Sequence, residues 1–293
     1  MKKIVAATLG LALSVSAMAQ STKTNTSTAS TKSTYQKLKE SPFGLWLALS
    51  NSGVRDVNND QLATGEFTGV SGSLDAGLSY KLSQNWDALF MPEVSFENGE
   101  GGTVLDLDFL MYRLRRRNIL TQKEHGLSLS ADLRYYSFNG EGDSDNSSGR
   151  IRANVTLSKS WSDDFSTTVI LRHDRLQNKN DLATTNSFSR FYFIPSYSIN
   201  DTLTASVTTI YNSTNRNTNN AKYTEPLAQT DQWILISPEL SISINPSFSI
   251  GLGGYWMVAT RSYDSKTETK QWDNTEKIGD NMTYTANLNF NVF

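Results

Sequence analysis

The chain has no cysteine, only two histidines and only six prolines. Beyond Ala19 it has no apolar run of the roughly 18 residues that a membrane-spanning helix requires. Without cysteine there are no disulfides, no thiolate metal sites and no lipid-modified N-terminal cysteine. Two histidines leave little for histidine-based catalysis or metal binding, and no cofactor is expected. Charge of one sign is lacking too. Lys+Arg total 27 and Asp+Glu 29, for a net charge of −2, so nucleic acid is not an expected partner. The mean hydropathy of −0.43 would suit a soluble domain. It suits equally a chain of membrane strands in which every second residue is polar.

What the chain does have is alternation. In Val70 to Leu82, residues Val70, Gly72, Leu74, Ala76, Leu78, Tyr80 and Leu82 share one parity, and Ser71, Ser73, Asp75, Gly77, Ser79 and Lys81 the other. Successive strand side chains point to opposite faces, so this segment has one apolar and one polar face. It is longer than the usual five- or six-residue soluble strand, and it suits a tilted strand crossing a bilayer, where about 9–11 residues are needed.

Met1 to Ala19 reads as a secretory signal: Lys2 and Lys3, then the apolar Ile4 to Val15, then Ala17-Met18-Ala19 as a cleavage site. Residues 20–41 are dominated by Ser, Thr, Lys and Asn at their start. They have too little apolar surface to offset ordering entropy, so a disordered periplasmic tail is expected. Residues 42–293 are then the barrel. About twelve strands are expected. Tight turns at Ser83-Gln84-Asn85, Ser162-Asp163-Asp164, Asn200-Asp201 and Asn245-Pro246-Ser247 alternate with longer polar loops such as Asn212 to Asp231 and Ala259 to Gly279.

The outward set includes Phe43, Leu45, Phe90, Leu105, Leu107, Phe109, Met111, Leu133, Ile151, Val155, Leu171, Phe191, Leu240, Leu252, Val258 and Leu288. Leu110, Tyr112 and Leu114 break the alternation after Met111, which implies a bulge or a filled lumen. Arg115-Arg116-Arg117 reads as the start of a solvated turn. Trp86, Trp161, Phe165 and Phe248 flank tight turns, where a girdle at the membrane interface belongs. The competing architecture is a soluble two-sheet sandwich, which would place these apolar residues in a shared core.

With its leader, its repeated alternation and a terminal aromatic, Phe293, the chain resembles the outer-membrane β-barrel proteins of Gram-negative bacteria over roughly Phe43 to Phe293. The resemblance implies an all-β, antiparallel up-and-down barrel in the bacterial outer membrane, with short periplasmic turns and long external loops. It also implies contact with outer-membrane lipid and lipopolysaccharide, and reading of Phe293 by the insertion machinery.

The inward residues carry the functional signal. Arg134, Arg150, Arg152, Arg172 and Arg190 are expected on four consecutive strands. Glu93, Asp106 and Asp108 are expected on the two preceding strands, with Asp132 between the groups. Separate basic and acidic arcs in a narrow bore would set up a transverse field that selects small or anionic solutes. The alternative is a plug in which these charges neutralise each other. Two other classes remain. One is a structural or adhesive barrel displaying its loops. The other is an outer-membrane lipid hydrolase or protease, which the isolated His125 and the adjacent His173 and Asp174 do little to support, because neighbours on a strand face opposite ways. The reading carried forward is a narrow channel rather than an enzyme.

Overall fold

A computed structural model describes residues 42–54, 70–99, 102–138, 146–221, 229–245, 247–264, 269–274 and 283–291. The leader, the tail and Phe293 lie outside the described residues. The strands are β1 Phe43–Val54, β2 Val70–Lys81, β3 Trp86–Gly99, β4 Gly102–Leu120, β5 Ser128–Phe138, β6 Ser147–Ser160 and β7 Phe165–Asn178. They continue as β8 Thr185–Ser198, β9 Leu203–Arg216, β10 Thr230–Asn245, β11 Phe248–Asp264, β12 Thr269–Asn274 and β13 Thr283–Asn291. One short helix, α1, spans Gln122–His125.

Each strand pairs antiparallel with its neighbour from β1 to β11. The ring closes when β13 pairs with both β11 and β1. Twelve strands therefore make a closed barrel, each with a ring neighbour on both sides. β12 is an extra arm: it pairs only with the upper part of β11, Ala259 opposite Asn274 through Asp264 opposite Thr269. The segment expected to be a plain loop from Ala259 is thus, in part, a hairpin rising from the barrel wall.

The wall is inverted relative to a soluble protein. Leu133 and Leu171 are each 54% exposed and Trp161 59%. Phe90, Ile151, Val155, Phe191, Tyr197 and Leu252 are exposed as well. A closed belt of large apolar side chains far exceeds the few hundred Å² that soluble monomers leave open, and hydrocarbon is the solvent that suits it. The sandwich alternative fails, because Leu74 and Leu288 lie on the two neighbours of β1, opposite Leu49 from either side, within one ring of strands.

The tight turns form where the sequence places short polar residues. The Asn200 side-chain oxygen accepts from the Thr202 and Leu203 amides, each at 2.9 Å, and the Asn245 side-chain oxygen accepts from the Ser247 amide at 2.9 Å. In this way an asparagine supplies the bond that a backbone turn would otherwise need. The connection after β4 is the helical turn α1. Thr121 caps it by accepting from the Glu124 amide, and Gly126 ends it at φ 71°, a conformation that favours glycine.

Bulges interrupt the regular pairing at several positions, among them on β4, β6 and β11. Glu93 is opposite Phe109 while Val94 is opposite Leu107, so Asp108 is one residue too many on β4. Beyond it Phe109 and Met111 turn inward and Leu110, Tyr112 and Leu114 outward. Met111 is 2% exposed and Tyr112 46%. Leu107 keeps the outward parity of its partner Val94. A second extra residue, Ser148, lies between Ser147 and Gly149 on β6. A Cβ on Gly149 would come 2.6 Å from the Tyr136 carbonyl oxygen, which explains a glycine there. The third is Val258, whose insertion brings Ala259 rather than Val258 opposite Ile234.

Candidate functional site

The face opposite the apolar belt holds the charged residues, and the register arranges them in rows. One row runs Asp87, Arg115, Asp132, Asn154, Arg172, Arg190, Asn212 across seven consecutive strands, each a direct cross-strand partner of the next. The adjacent row runs Leu89, Arg113, Arg134, Arg152, Asp174. A third runs Met91, Met111, Tyr136, Arg150.

Three carboxylates organise the arginines. Asp87, with a side chain only 2% exposed, lies 3.5 Å from Arg113, 3.0 Å from Arg115 and 2.5 Å from Arg117. Asp132 pairs with Arg134 at 2.5 Å and accepts from Asn154 at 2.9 Å. Asp174, with its side chain fully buried, lies 3.1 Å from Arg150 and 2.7 Å from Arg152. Arg172 donates to the Asn154 side-chain oxygen at 3.1 Å and to the Tyr192 hydroxyl at 2.5 Å, and Arg190 to the Asn212 side-chain oxygen at 2.9 Å.

Aromatic rings hold the guanidinium planes. Arg150 and Arg152 lie 4.1 and 4.8 Å from the Tyr136 ring centre, Arg172 is 4.7 Å from Tyr192, and Arg190 is 4.6 Å from Phe188. Stacking of this kind costs a guanidinium less ordering entropy than a free side chain would lose on meeting an anion.

A cavity of about 490 Å³ opens among these rows. Arg134, Arg150 and Arg152 line it with Arg113, Asp75, Glu93 and the apolar Leu89, Met91, Phe109, Met111 and Tyr136. Leu89, Met91, Met111 and Tyr136 pack into one buried cluster. Of the remaining expected residues, Asp108 is the bulged residue and accepts from Ser95 Oγ at 2.7 Å. Asp106 is opposite Ser95 on β4, and its side chain lies outside the described residues.

Sequence reasoning missed Arg113, Arg115 and Arg117. Arg115-Arg116-Arg117 is not a turn: β4 continues to Leu120, with Arg115 on Asp87 and Arg116 on the outer face, 5.6 Å from the Trp86 ring centre. The available signal was parity, since Arg113, Arg115 and Arg117 alternate with Tyr112, Leu114 and Arg116. Asp174 was also missed, as half of a histidine pair. His173 instead lies on the outer face, bonded to Ser189 Oγ at 2.9 Å, while Asp174 faces inward.

No protein-family model matches the sequence, and no curated protein matches it. Solved structures do. The COG4313 outer membrane channel from Pseudomonas putida F1 superposes with a TM-score of 0.54 at 8% identity, covering 86% of this chain and 96% of that one. The fold is that of a bacterial outer-membrane β-barrel. The NanC porin aligns at a TM-score of 0.48 and 11% identity, over 83% of this chain and 98% of that one. OmpT, an outer membrane protein of Vibrio cholerae, aligns at 0.41 and 9%, over 85% and 96%. At these identities the likeness concerns architecture alone.

Proposed function

We propose that this outer-membrane barrel is a narrow, porin-like channel for small or anionic solutes, and that its arginine rows select them. The observation that carries this reading is the run Arg113, Arg134, Arg152, three guanidiniums on three consecutive strands as direct partners. Like charges directly opposite each other destabilise a sheet. A wall that served only stability would alternate the signs, as Asp87 and Arg115 do.

Charge balance supports the same reading against a self-neutralised plug. Asp87, Asp132 and Asp174 are shared among Arg113, Arg115, Arg117, Arg134, Arg150 and Arg152. Arg172 and Arg190 bond neutral oxygens. An excess of fixed positive charge in a low-dielectric wall concentrates anions and repels cations. The size class also fits, since twelve strands fall between eight-stranded barrels filled by side chains and 16–18-stranded open porins. Contact with outer-membrane lipid and lipopolysaccharide through the apolar belt, and insertion read from Phe293, belong to the same proposal.

Planar-bilayer recording tests it. The purified barrel should give unit conductance steps with a reversal potential of anionic sign in a KCl gradient. Absence of steps above background overturns the channel.

A further inference from the structure

The cavity is lined by carboxylates and guanidiniums, and no ion pair between the two sets is found among the described residues. Asp75 on β2 is the direct cross-strand partner of Glu93 on β3, so two carboxylates stand side by side at its edge. Arg134 on β5 and Arg150 and Arg152 on β6 line the same space. Their ion pairs go to Asp132 and Asp174, neither of which is among the cavity's lining residues. One Asp75 carboxylate oxygen is buried without a hydrogen-bond partner, and so is the Nε of Arg113, whereas the Arg150 Nε lies 3.1 Å from Asp174. Buried polar atoms are seldom left so, and here the unmet acceptor and the unmet donor belong to residues that border one cavity.

We infer that this cavity binds a zwitterion: a small solute with an ammonium at one end, a carboxylate at the other and an apolar chain between them. The ammonium lies between Asp75 and Glu93 and supplies the donor their buried oxygen lacks. The carboxylate meets Arg150 and Arg152, which Tyr136 and Asp174 already hold in place. The chain crosses Met91 and Met111. The dimensions agree. Glu93 on β3 and Arg150 on β6 are three strand spacings apart, about 14 Å along the wall, which leaves room for several methylenes once both side chains reach inward. A space of about 490 Å³ lies within the range of small-molecule sites. The inference rests on the channel reading and deepens it by naming the solute class.

A matched set of probes decides it: 6-aminohexanoate, hexanoate and hexylamine, titrated calorimetrically into the whole barrel refolded in detergent. The zwitterion should bind at least about tenfold more tightly than either single-charge analogue. Glu93→Gln should erase its advantage over hexanoate, and Arg150→Gln its advantage over hexylamine. Should either variant lose the heat-modifiable band of a folded barrel, Asp75→Asn and Arg152→Gln test the same two ends. Hexanoate binding as tightly as 6-aminohexanoate, or no binding of any probe, overturns the zwitterion site while leaving anion conductance standing. Selective zwitterion binding by a barrel that shows no conductance would overturn the channel and keep the site.

Discussion

Arg172 stands directly across from Arg190 on neighbouring strands, and both donate to neutral oxygens, Arg172 to Asn154 and Tyr192 and Arg190 to Asn212. Two positive charges with amide and phenol partners keep most of their field for the bore. Replacing either by glutamine should lower the anion-to-cation permeability ratio by about fivefold, roughly 0.5 kcal/mol lost by the anion and as much gained by the cation from one charge about 8 Å away at aqueous dielectric. Reversal potentials of R172Q and R190Q in a KCl gradient check this. An unchanged ratio in both would mean that permeating ions do not pass this row.

Asp174 does the opposite work. Its side chain is fully buried between Arg150 and Arg152, and no other ion pair of these two arginines is found among the described residues. Breaking a buried pair by removing one partner costs about 3–5 kcal/mol, because the remaining charge loses its compensation. Asp174→Asn should fall near the lower end of that range, since the cavity gives Arg150 and Arg152 some access to water. Equilibrium unfolding in urea from lipid vesicles measures it. A loss below about 1 kcal/mol would show that the pair is solvated and contributes as little as an exposed bridge.

Much of this architecture was legible in the sequence, and the gaps have a common cause. Period-two alternation identified the outward Leu133, Ile151, Val155, Leu171, Phe191 and Leu252 because each lies in a stretch of wall with regular pairing. Alternation cannot say where an extra residue is inserted. At Asp108 the outward phase shifts by one, so Phe109 and Met111 turned inward against expectation. It also undervalued Arg113, Arg115 and Arg117. A basic run resembles a turn until its partner is known, and Asp87 lies on a different strand, 28 residues from Arg115. Cross-strand neighbours of that kind are set by register, which no single strand contains.

The Asp108 bulge makes its own prediction, which the cysteine-free chain allows to be tested cleanly. Tyr112→Cys, carrying a lipid-sensitive fluorophore, should be quenched by brominated acyl chains. Phe109→Cys, on the inner side, should resist that quenching. Equal quenching at both positions would remove the bulge and return β4 to the simple alternation of its first half.

Asp87 offers a change of the opposite sign to that at Arg172. Its buried carboxylate meets Arg113, Arg115 and Arg117, three guanidiniums on one acceptor, beside the tight turn between β2 and β3. Asp87→Asn keeps the shape and removes the only negative charge these arginines are seen to share. Two effects follow. The local positive charge rises by one unit, so the anion-to-cation permeability ratio should increase by a factor similar to that lost in R172Q. The three guanidiniums should also repel one another more, and raised ionic strength should then stabilise D87N more than the native barrel, since salt screens such repulsion within a Debye length of about 10 Å at 0.1 M. Reversal potentials and urea midpoints at two salt concentrations read both effects. A permeability ratio that falls on removing Asp87 would mean that anions do not pass this end of the barrel and that the arginines on β4 are a fastening of the wall rather than part of a conduction path.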